Sequence, residues 1–431
     1  MTDRTTPSTD PMSSDEPSPI ALRFGPLADS LAQGWRQFQE SAAATSAQRP
    51  PRAYLLLNGW DDNPYAQALE ELAPNAAQAR VAVVTPQFEY REDKGPCLIE
   101  LPANWDQKPP PRPTGTPASS TAKRALEAPP PRKWSDPYPP PWARREAEKT
   151  VPETSPAPPA SPELTEPPAE APQPDALNLD DLSIGLAGAW LATQQRLAAQ
   201  KFCAVLFAQA DAKDIAAHLV RLGRQQLPPA GPTRQFPFQD ARIQQRIWPV
   251  FTPEQHLIWL GPVAQWWALK QPWGPWSQAD LLQIDPTQFS AAPEWFVATP
   301  PSPEQPRAHA AQGLKPETLF TPDQWKYAGQ CPTGNRVWQQ YAMQDIDPQR
   351  QPDGATMDRL ISDGLRLGLS GANLQDYVWC SWQAGEAGLP RELDWREPRL
   401  AQLLQDILRQ LREEPEASFA DLFVEQLPMA R

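Results

Sequence analysis

Short apolar runs and helical apolar spacing alternate along the first folded stretch of the chain. The run Ala53 to Leu57, which ends in the turn signal Asn58-Gly59, predicts a strand buried on both faces. Residues 61–72 carry apolar side chains at helical spacing, and residues 80–86 and 97–102 predict two further strands. The pattern therefore predicts a strand, a helix and two strands in this order.

The alternation resumes at residue 177 and continues to about residue 290. The predicted elements are a helix at 182–197, a strand at 202–207, a helix at 215–222, a strand at 234–238, a helix at 243–250, and strands at 257–260 and 263–269. We therefore expect residues 52–106 and 175–290 to form one split α/β domain, in which a mixed sheet is flanked by helices.

Apolar residues at helical spacing dominate the chain after residue 317. The clearest pattern begins beside Pro398, a suitable residue for a first helical turn, and its apolar face consists of Leu400, Leu403, Leu404, Ile407, Leu408 and Leu411. We expect residues 317–431 to form a mostly α-helical C-terminal domain. The predicted fold class is thus α/β with an α-helical C-terminal lobe.

Three segments have the composition of disordered or linking chain. Residues 1–50 predict a disordered tail with one short amphipathic helix, at about 26–42, which either packs on the main body or is free to bind a partner. Residues 107–174 hold 21 prolines in 68 positions and predict a disordered insert, while residues 291–316 predict a linker. The insert is either a plain linker or, through basic and aromatic residues at 132–145, a ligand for a PxxP-reading groove.

The charge and the cysteines restrict the expected partners and compartment. The chain has 39 basic and 52 acidic residues, a formal net charge of −13, which argues against nucleic acid because phosphate binding needs a local excess of Lys and Arg. The four cysteines form no CxxC pair, so neither a zinc ribbon nor a disulfide scaffold is expected. Because the sequence shows neither an export signal nor a long apolar run, we expect a cytoplasmic protein without membrane insertion.

No group of residues has the spacing of a familiar catalytic or cofactor site. His218, His256 and His309 form no metal-ligand motif, and residues 368–372 have an alanine where the G-x-S-x-G nucleophile motif has its second glycine. The sequence has no P-loop. We therefore predict no catalytic, cofactor-binding or metal-binding residue and a protein that is not an enzyme. The alternative is a hydrolase whose acid and base are dispersed along the chain.

Tryptophan is the residue type that points to partner binding. The chain has 18 tryptophans, and five of them crowd into residues 259–276: Trp259, Trp266, Trp267, Trp273 and Trp276. Tryptophan is enriched at protein interfaces. Because neighbouring strand residues face opposite sides of a sheet, we expect either Trp266 or Trp267 in the core and the other available to a partner. Trp266, Trp267, Trp273 and Trp276 are the candidate partner-binding residues, and a core role for most of the cluster is the alternative.

Several short pieces occur in a characteristic order, at residues 54–59, 98–101, 217–222, 238–242 and 260–263. Together they resemble the type VI secretion effector chaperones, also called adaptor proteins. Asp240 and Arg242 stand where that family has the Asp and the Arg of an Arg-Phe-aromatic-Asp-Pro-Arg-Val stretch, and Gly261-Pro262 matches its Gly-Pro pair. Ala241 replaces the family's proline.

The resemblance implies a non-enzymatic cytoplasmic adaptor without a cofactor. Such a protein holds the N-terminal region of a toxic effector and helps to load it onto a VgrG or PAAR spike protein. We expect Asp240 to cap a helix while Arg242 makes a bidentate contact that fixes helix to strand, and the alternative is that both residues contact the effector directly. Gly261 and Pro262 are expected to be structural. A scaffold whose Pro-rich insert recruits SH3-like partners is a further alternative.

Overall fold

The computed structural model describes the greater part of the chain, namely residues 19–44, 49–61, 63–85, 88–89, 91–108, 175–194, 200–227, 231–278, 292–301, 314–383 and 391–430. Within these ranges the protein is mixed α/β, with a six-stranded sheet followed by an α-helical C-terminal part, which confirms the predicted fold class. Residues 1–18 of the predicted tail and residues 109–174 of the predicted insert lie outside the described residues.

The N-terminal part of the chain alternates between helices and strands. In chain order its elements are α1 (Pro19–Ala44), β1 (Arg52–Asn58), α2 (Pro64–Leu72), α3 (Pro74–Gln78), β2 (Val81–Ala82), β3 (Pro96–Glu100), α4 (Leu179–Gln194), β4 (Phe202–Ala208), α5 (Ala212–Leu222), β5 (Arg224–Gln226), β6 (Thr233–Gln235), α6 (Ala241–Ile247), α7 (Pro253–Leu260), β7 (Val263–Leu269) and β8 (Trp295–Ala298). Strands β5 and β6 pair only with each other in the described residues.

The six-stranded sheet has the order β2-β3-β1-β4-β7-β8 and is antiparallel at every described pairing, so the expected mixture of strand directions is wrong. Leu55 of β1, for example, lies opposite Ile99 of β3 on one side and Val205 of β4 on the other. Strands β3 and β4 run in the same direction but are separated by β1. The chain between them therefore produces no parallel pair.

Helices cover both faces of the sheet. Along β1 the side chains of Leu55 and Leu57 enter one buried cluster, which also contains residues of α1, α2 and α4. Tyr54 and Leu56 point to the other face and enter a second cluster with residues of α5, α6 and α7. The unbroken apolar run of β1 follows from this arrangement, because both of its faces are buried.

The C-terminal part consists of helices around a third buried cluster. Its elements are α8 (Pro322–Gly329), α9 (Cys331–Met343), α10 (Gly354–Arg366), α11 (Gly371–Ser381), the short strands β9 (Trp382–Gln383) and β10 (Arg391–Glu392), α12 (Pro398–Glu413) and α13 (Phe419–Ala430). The predicted apolar face of α12 contributes Leu403, Leu404 and Ile407 to this cluster. Helical spacing of apolar residues therefore predicted this part well.

Two segments expected at the margins of the fold belong to its core layers. Helix α1 begins at Pro19, earlier than predicted, and it packs on the sheet through buried residues that include Leu31 and Trp35, as one of the two alternatives proposed. In the predicted linker at 291–316, strand β8 pairs with β7 and places Trp295 against the ring of Trp267. That apolar contact, together with backbone pairing, explains why this proline-flanked segment joins the sheet.

Residues 257–260, which were predicted as a strand, form the end of helix α7 instead. Thr252 and Gln255 form a reciprocal capping box, and Pro253 occupies the first helical turn. These start signals define a helix that the apolar run alone does not reveal.

A candidate site where the sheet meets the helical region

The predicted pair Trp266 and Trp267 lies in the core on both sides of the sheet. Their exposed fractions are 1% and 8%, so the expectation that one of them is available to a partner is wrong. Trp266 enters the cluster with α7, whereas Trp267 packs so closely on α1 that a Cβ atom at Gly34 would lie 2.3 Å from its ring. Both faces of β7 are covered, and alternation therefore leaves neither tryptophan at the surface.

Trp276 is likewise buried, and it anchors the chain after β7 in the helical region. Its backbone N–H donates to the Oε1 atom of Gln351 at 3.1 Å, and Gln351 Nε2 donates to the Trp276 carbonyl at 2.7 Å. Only 1% of Trp276 is exposed, and it belongs to the buried cluster of the C-terminal helices. This residue connects the two parts of the protein and presents no surface to a partner in this conformation.

Trp273 is the half-buried member of the predicted set, and it lies between the two parts. Its ring meets the ring of Trp338 edge to face at 4.6 Å, and its Nε1–H donates to the carbonyl of Gly354 at 3.2 Å. A Cβ atom at Gly334 would lie 2.3 Å from the Trp273 ring. Glycines in α9 and α10 thus allow this side chain to approach the helix backbones closely.

Arg246 of α6 stacks on the ring of this tryptophan. Its guanidinium carbon lies 3.6 Å from the centroid of Trp273 and 4.3 Å from that of Tyr327. Its Nη2 atom donates to Asp358 Oδ1 at 2.8 Å and to Gln330 Oε1 at 3.3 Å, and 4% of its side chain is exposed. A buried cation on the sheet side is therefore held by residues of α8, α10 and the turn before α9.

Asp240 and Arg242 form a compact unit at the start of α6. The Asp240 side chain accepts from the Arg242 backbone N–H at 3.0 Å, which confirms the predicted helix cap. The Arg242 guanidinium donates to both carboxylate oxygens of Asp240, at 2.8 and 2.5 Å. The predicted bidentate contact thus exists, but its carboxylate belongs to the helix's own cap and not to a strand.

Gly261 and Pro262 form the tight turn between α7 and β7. Gly261 has a φ of 54°, and a Cβ atom there would lie 2.4 Å from the His218 ring. His218 Nε2 lies 2.9 Å from the Trp259 carbonyl, and burial lowers the pKa of this histidine below its usual value. The neutral ring donates to that carbonyl. The positive φ and the nearby His218 ring both favour glycine at position 261.

A cavity of about 170 Å³ lies beside Arg242, Arg246 and Trp273. Its lining comes from α6, from the chain after β7, and from α8 and α9: Arg242, Gln245, Arg246, Pro249, Gln271, Pro272, Trp273, Tyr327, Cys331 and Asn335. Of the residues that the sequence singled out, the cavity brings together only Arg242 and Trp273. Arg246 was not predicted from the sequence, although its position one helical turn after Arg242 places both on the same face of α6.

The described residues also bear on metal binding, membrane spans and cysteine reactivity. No cluster of three or more potential metal ligands is found among them. In the same ranges no helix is both long and apolar enough to cross a membrane. Burial raises the pKa of the Cys97 and Cys380 thiols to about 12, so at neutral pH these cysteines are protonated core residues.

Comparison with known proteins gives no match, whether with family models, with curated protein sequences or with solved structures.

Proposed function

We propose that this protein is a non-enzymatic type VI secretion adaptor that binds the N-terminal region of a cognate effector and helps to load it onto a VgrG or PAAR spike protein. The proposal starts from the order of the short sequence pieces between residues 54 and 263. One structural observation supports it most. The pieces are far apart in the sequence between residues 54 and 263, and in the fold each of them contributes residues to one buried cluster.

Each piece contributes to that cluster. Strand β1 supplies Tyr54 and Leu56, β3 supplies Leu98, α5 supplies Leu219 and Leu222, the start of α6 supplies Ala241 and Ile243, and the turn before β7 is flanked by Leu260 and Val263. Pieces that define a family by their order are expected to build its common core. Their convergence in one cluster is what the proposed family membership predicts.

The rim of the cavity is the surface that we assign to the effector. Pro249 and Pro272 line the cavity, and Val250, next to Pro249, keeps 46% of its surface exposed. Pro249 and Pro272 are exposed like Val250, and the same cavity is lined by the charged side chains of Arg242 and Arg246. Exposed apolar side chains beside an arginine are residue types that protein interfaces use, and they suit a partner segment that must be shielded from water.

Co-purification tests the proposal. The full chain is co-expressed with the effector encoded beside it, captured through a tag on the effector, and washed at about 0.1 M and about 1 M salt. We expect the complex to persist at both concentrations, because apolar burial is not screened by ions. An effector from an unrelated gene cluster is the control and should not be retained. Failure of the cognate pair to co-purify at either concentration would contradict the proposal.

Two exposed valines test the assigned surface separately. We expect Val250→Asp to weaken effector binding by about fivefold or more, the effect of losing one important interface residue. Val424, on α13, is 69% exposed and lies in the helical region, so Val424→Asp is the matched control and should bind normally. Equal binding by both variants would show that the effector binds another surface, and it would not contradict the adaptor function.

A further inference from the structure

The cavity between α6 and helices α8 and α9 is lined by hydrogen-bond donors that have no acceptor among the described residues. The Nε and Nη1 atoms of Arg246 and the Nε2 atom of Gln271 are buried, and none of them has an acceptor in the part of the chain that the structure describes. Both side chains line the cavity. Buried donors are paired with protein or water in nearly all proteins, so these three donors would bind acceptors that enter the cavity, and a ligand with suitable acceptors could supply them.

The type of the unpaired atoms defines the chemistry of that ligand. All three are donors, and an ionised carboxylate is a group that only accepts hydrogen bonds, through two oxygens. The guanidinium of Arg246 is already fixed by its stacking on Trp273 and its bond to Asp358. A ligand therefore meets a preorganised cation and loses little affinity to ordering of the site.

The local charge favours a carboxylate over a phosphate group. Arg242 is paired with Asp240, and Arg246 is paired with Asp358, so each of the two cations is already opposed by one carboxylate. A phosphate group carries a charge of about −1.5 to −2 at neutral pH. Among the described residues no further cation lines the cavity to compensate that excess, whereas a single charge delocalised over two oxygens is better tolerated.

The size and the walls of the cavity limit the rest of the ligand. Its volume of about 170 Å³ is comparable to that of an engineered cavity that holds a benzene-sized molecule. The rings of Trp273 and Tyr327, together with Pro249 and Pro272, provide apolar contacts. We propose that this cavity binds a carboxylate on a short aliphatic stem, which belongs either to a small carboxylic acid or to an acidic side chain of a protein segment.

This proposal concerns the cavity whose rim is assigned to the effector above, but its test needs no effector and uses the full chain alone. Propionate is titrated by isothermal calorimetry, with tryptophan fluorescence as a second signal because Trp273 lines the cavity. Propionamide, which has the same shape without the charge, and inorganic phosphate are the comparison probes. We expect saturable binding of propionate and weaker binding of both phosphate and propionamide, since the amide carbonyl accepts hydrogen bonds without a charge.

Two variants link binding to the unpaired donors. Gln271→Leu removes the amide donor, and Arg246→Lys keeps the charge but removes the guanidinium fork. Each is expected to weaken propionate binding by about tenfold, the scale of one hydrogen bond to a charged group. Gln402→Leu, on the exposed side of α12, is the matched control and should bind as the unchanged chain does. If Arg246→Lys fails to fold, Gln271→Leu alone decides.

The two sources of the carboxylate are distinguished by a third titration. A blocked peptide with one central glutamate is compared with propionate and with the same peptide carrying glutamine. Tighter binding of the glutamate peptide assigns the site to a protein segment, and tighter binding of propionate assigns it to a small acid. Absence of saturable binding by either carboxylate, equal binding of propionamide, preference for phosphate, or unchanged affinity in Gln271→Leu would overturn the proposal.

Discussion

Arg246 and Asp358 form an ion pair across the junction of the two parts of the protein, with 2.8 Å between Nη2 and Oδ1. The arginine is nearly fully buried in α6, whereas the aspartate on α10 is partly exposed. Stacking on Trp273 and Tyr327 shields the guanidinium further. The pair therefore couples the sheet side to the helical region through a desolvated charge, and its loss should affect the stability of the whole fold.

Removal of the aspartate tests this coupling. We expect Asp358→Ala to lower the free energy of unfolding by about 3 kcal/mol, because it leaves a buried cation without its counter-ion. The double variant Arg246→Met with Asp358→Ala should be less destabilised than the single one, since the uncompensated charge is gone. Denaturant unfolding monitored by circular dichroism measures both.

An exposed pair is the control for that experiment. Asp406 and Arg409 interact at 2.7 Å on the surface of α12. Asp406→Ala should change the free energy of unfolding by no more than about 1 kcal/mol, as is typical of surface ion pairs. Equal effects of Asp358→Ala and Asp406→Ala would show that the junction pair has no special role.

The cap of α6 gives a second prediction. Asp240→Ala should lower the free energy of unfolding by about 0.5 to 2 kcal/mol, because the Arg242 N–H loses its acceptor and the guanidinium loses its carboxylate. Asp240→Asn keeps a capping oxygen and should be less destabilised. Effector pull-downs run in parallel should be normal. Unchanged stability together with lost binding would instead assign Asp240 to the effector interface.

Gly261 gives a third prediction. Gly261→Ala forces a residue with a side chain into positive φ and against the His218 ring, so we expect it to lower the free energy of unfolding by about 1 to 3 kcal/mol. Gly329, at the end of α8, has open space around the position that a Cβ atom would take. Gly329→Ala should therefore be neutral or stabilising. Thermal unfolding of the two variants measures the difference. Equal shifts of the two unfolding midpoints would contradict the prediction.

The sequence pattern predicted the elements whose burial repeats regularly. Apolar runs predicted β1 and β4, because both faces of these strands are buried. Helical spacing predicted α5 and α12, because each of these helices buries one side. The run at residues 257–260 was misassigned because the capping box before it determines the helix. In such short runs, local start signals carry as much information as the apolar pattern does.

The candidate site was much less accessible to sequence reasoning. Arg246 and Asp358 are 112 positions apart, and no local pattern links them. Trp266 and Trp267 were assigned correctly to opposite faces of a strand, but the burial of Trp267 depends on α1 and on Trp295 of β8, which come from distant segments. Alternation predicts the side to which a residue points, and only the tertiary structure determines what covers that side.

His218 gives a fourth prediction, on pH dependence. Burial lowers the pKa of His218 in the folded state, with Arg221 and Glu317 as its charged neighbours. The pKa of histidine in the unfolded chain is about 6.5, and below that pH the unfolded chain binds the proton more readily than the folded chain does. The stability that depends on neutral His218 is therefore complete above that pH and is lost as the pH falls. We expect the unchanged chain to lose more stability between pH 7.5 and pH 5.5 than His218→Gln, by at most about 1.4 kcal/mol per pH unit. Parallel pH profiles of the two proteins would contradict the prediction.

The most direct test of the adaptor proposal is the amount of cognate effector that the type VI apparatus secretes in cells with and without this protein. The proposal predicts that deletion lowers the secreted effector while an unrelated effector of the same apparatus is secreted normally, and that re-expression of the full chain restores secretion. Equal solubility and equal secretion of the cognate effector in the two strains would contradict it.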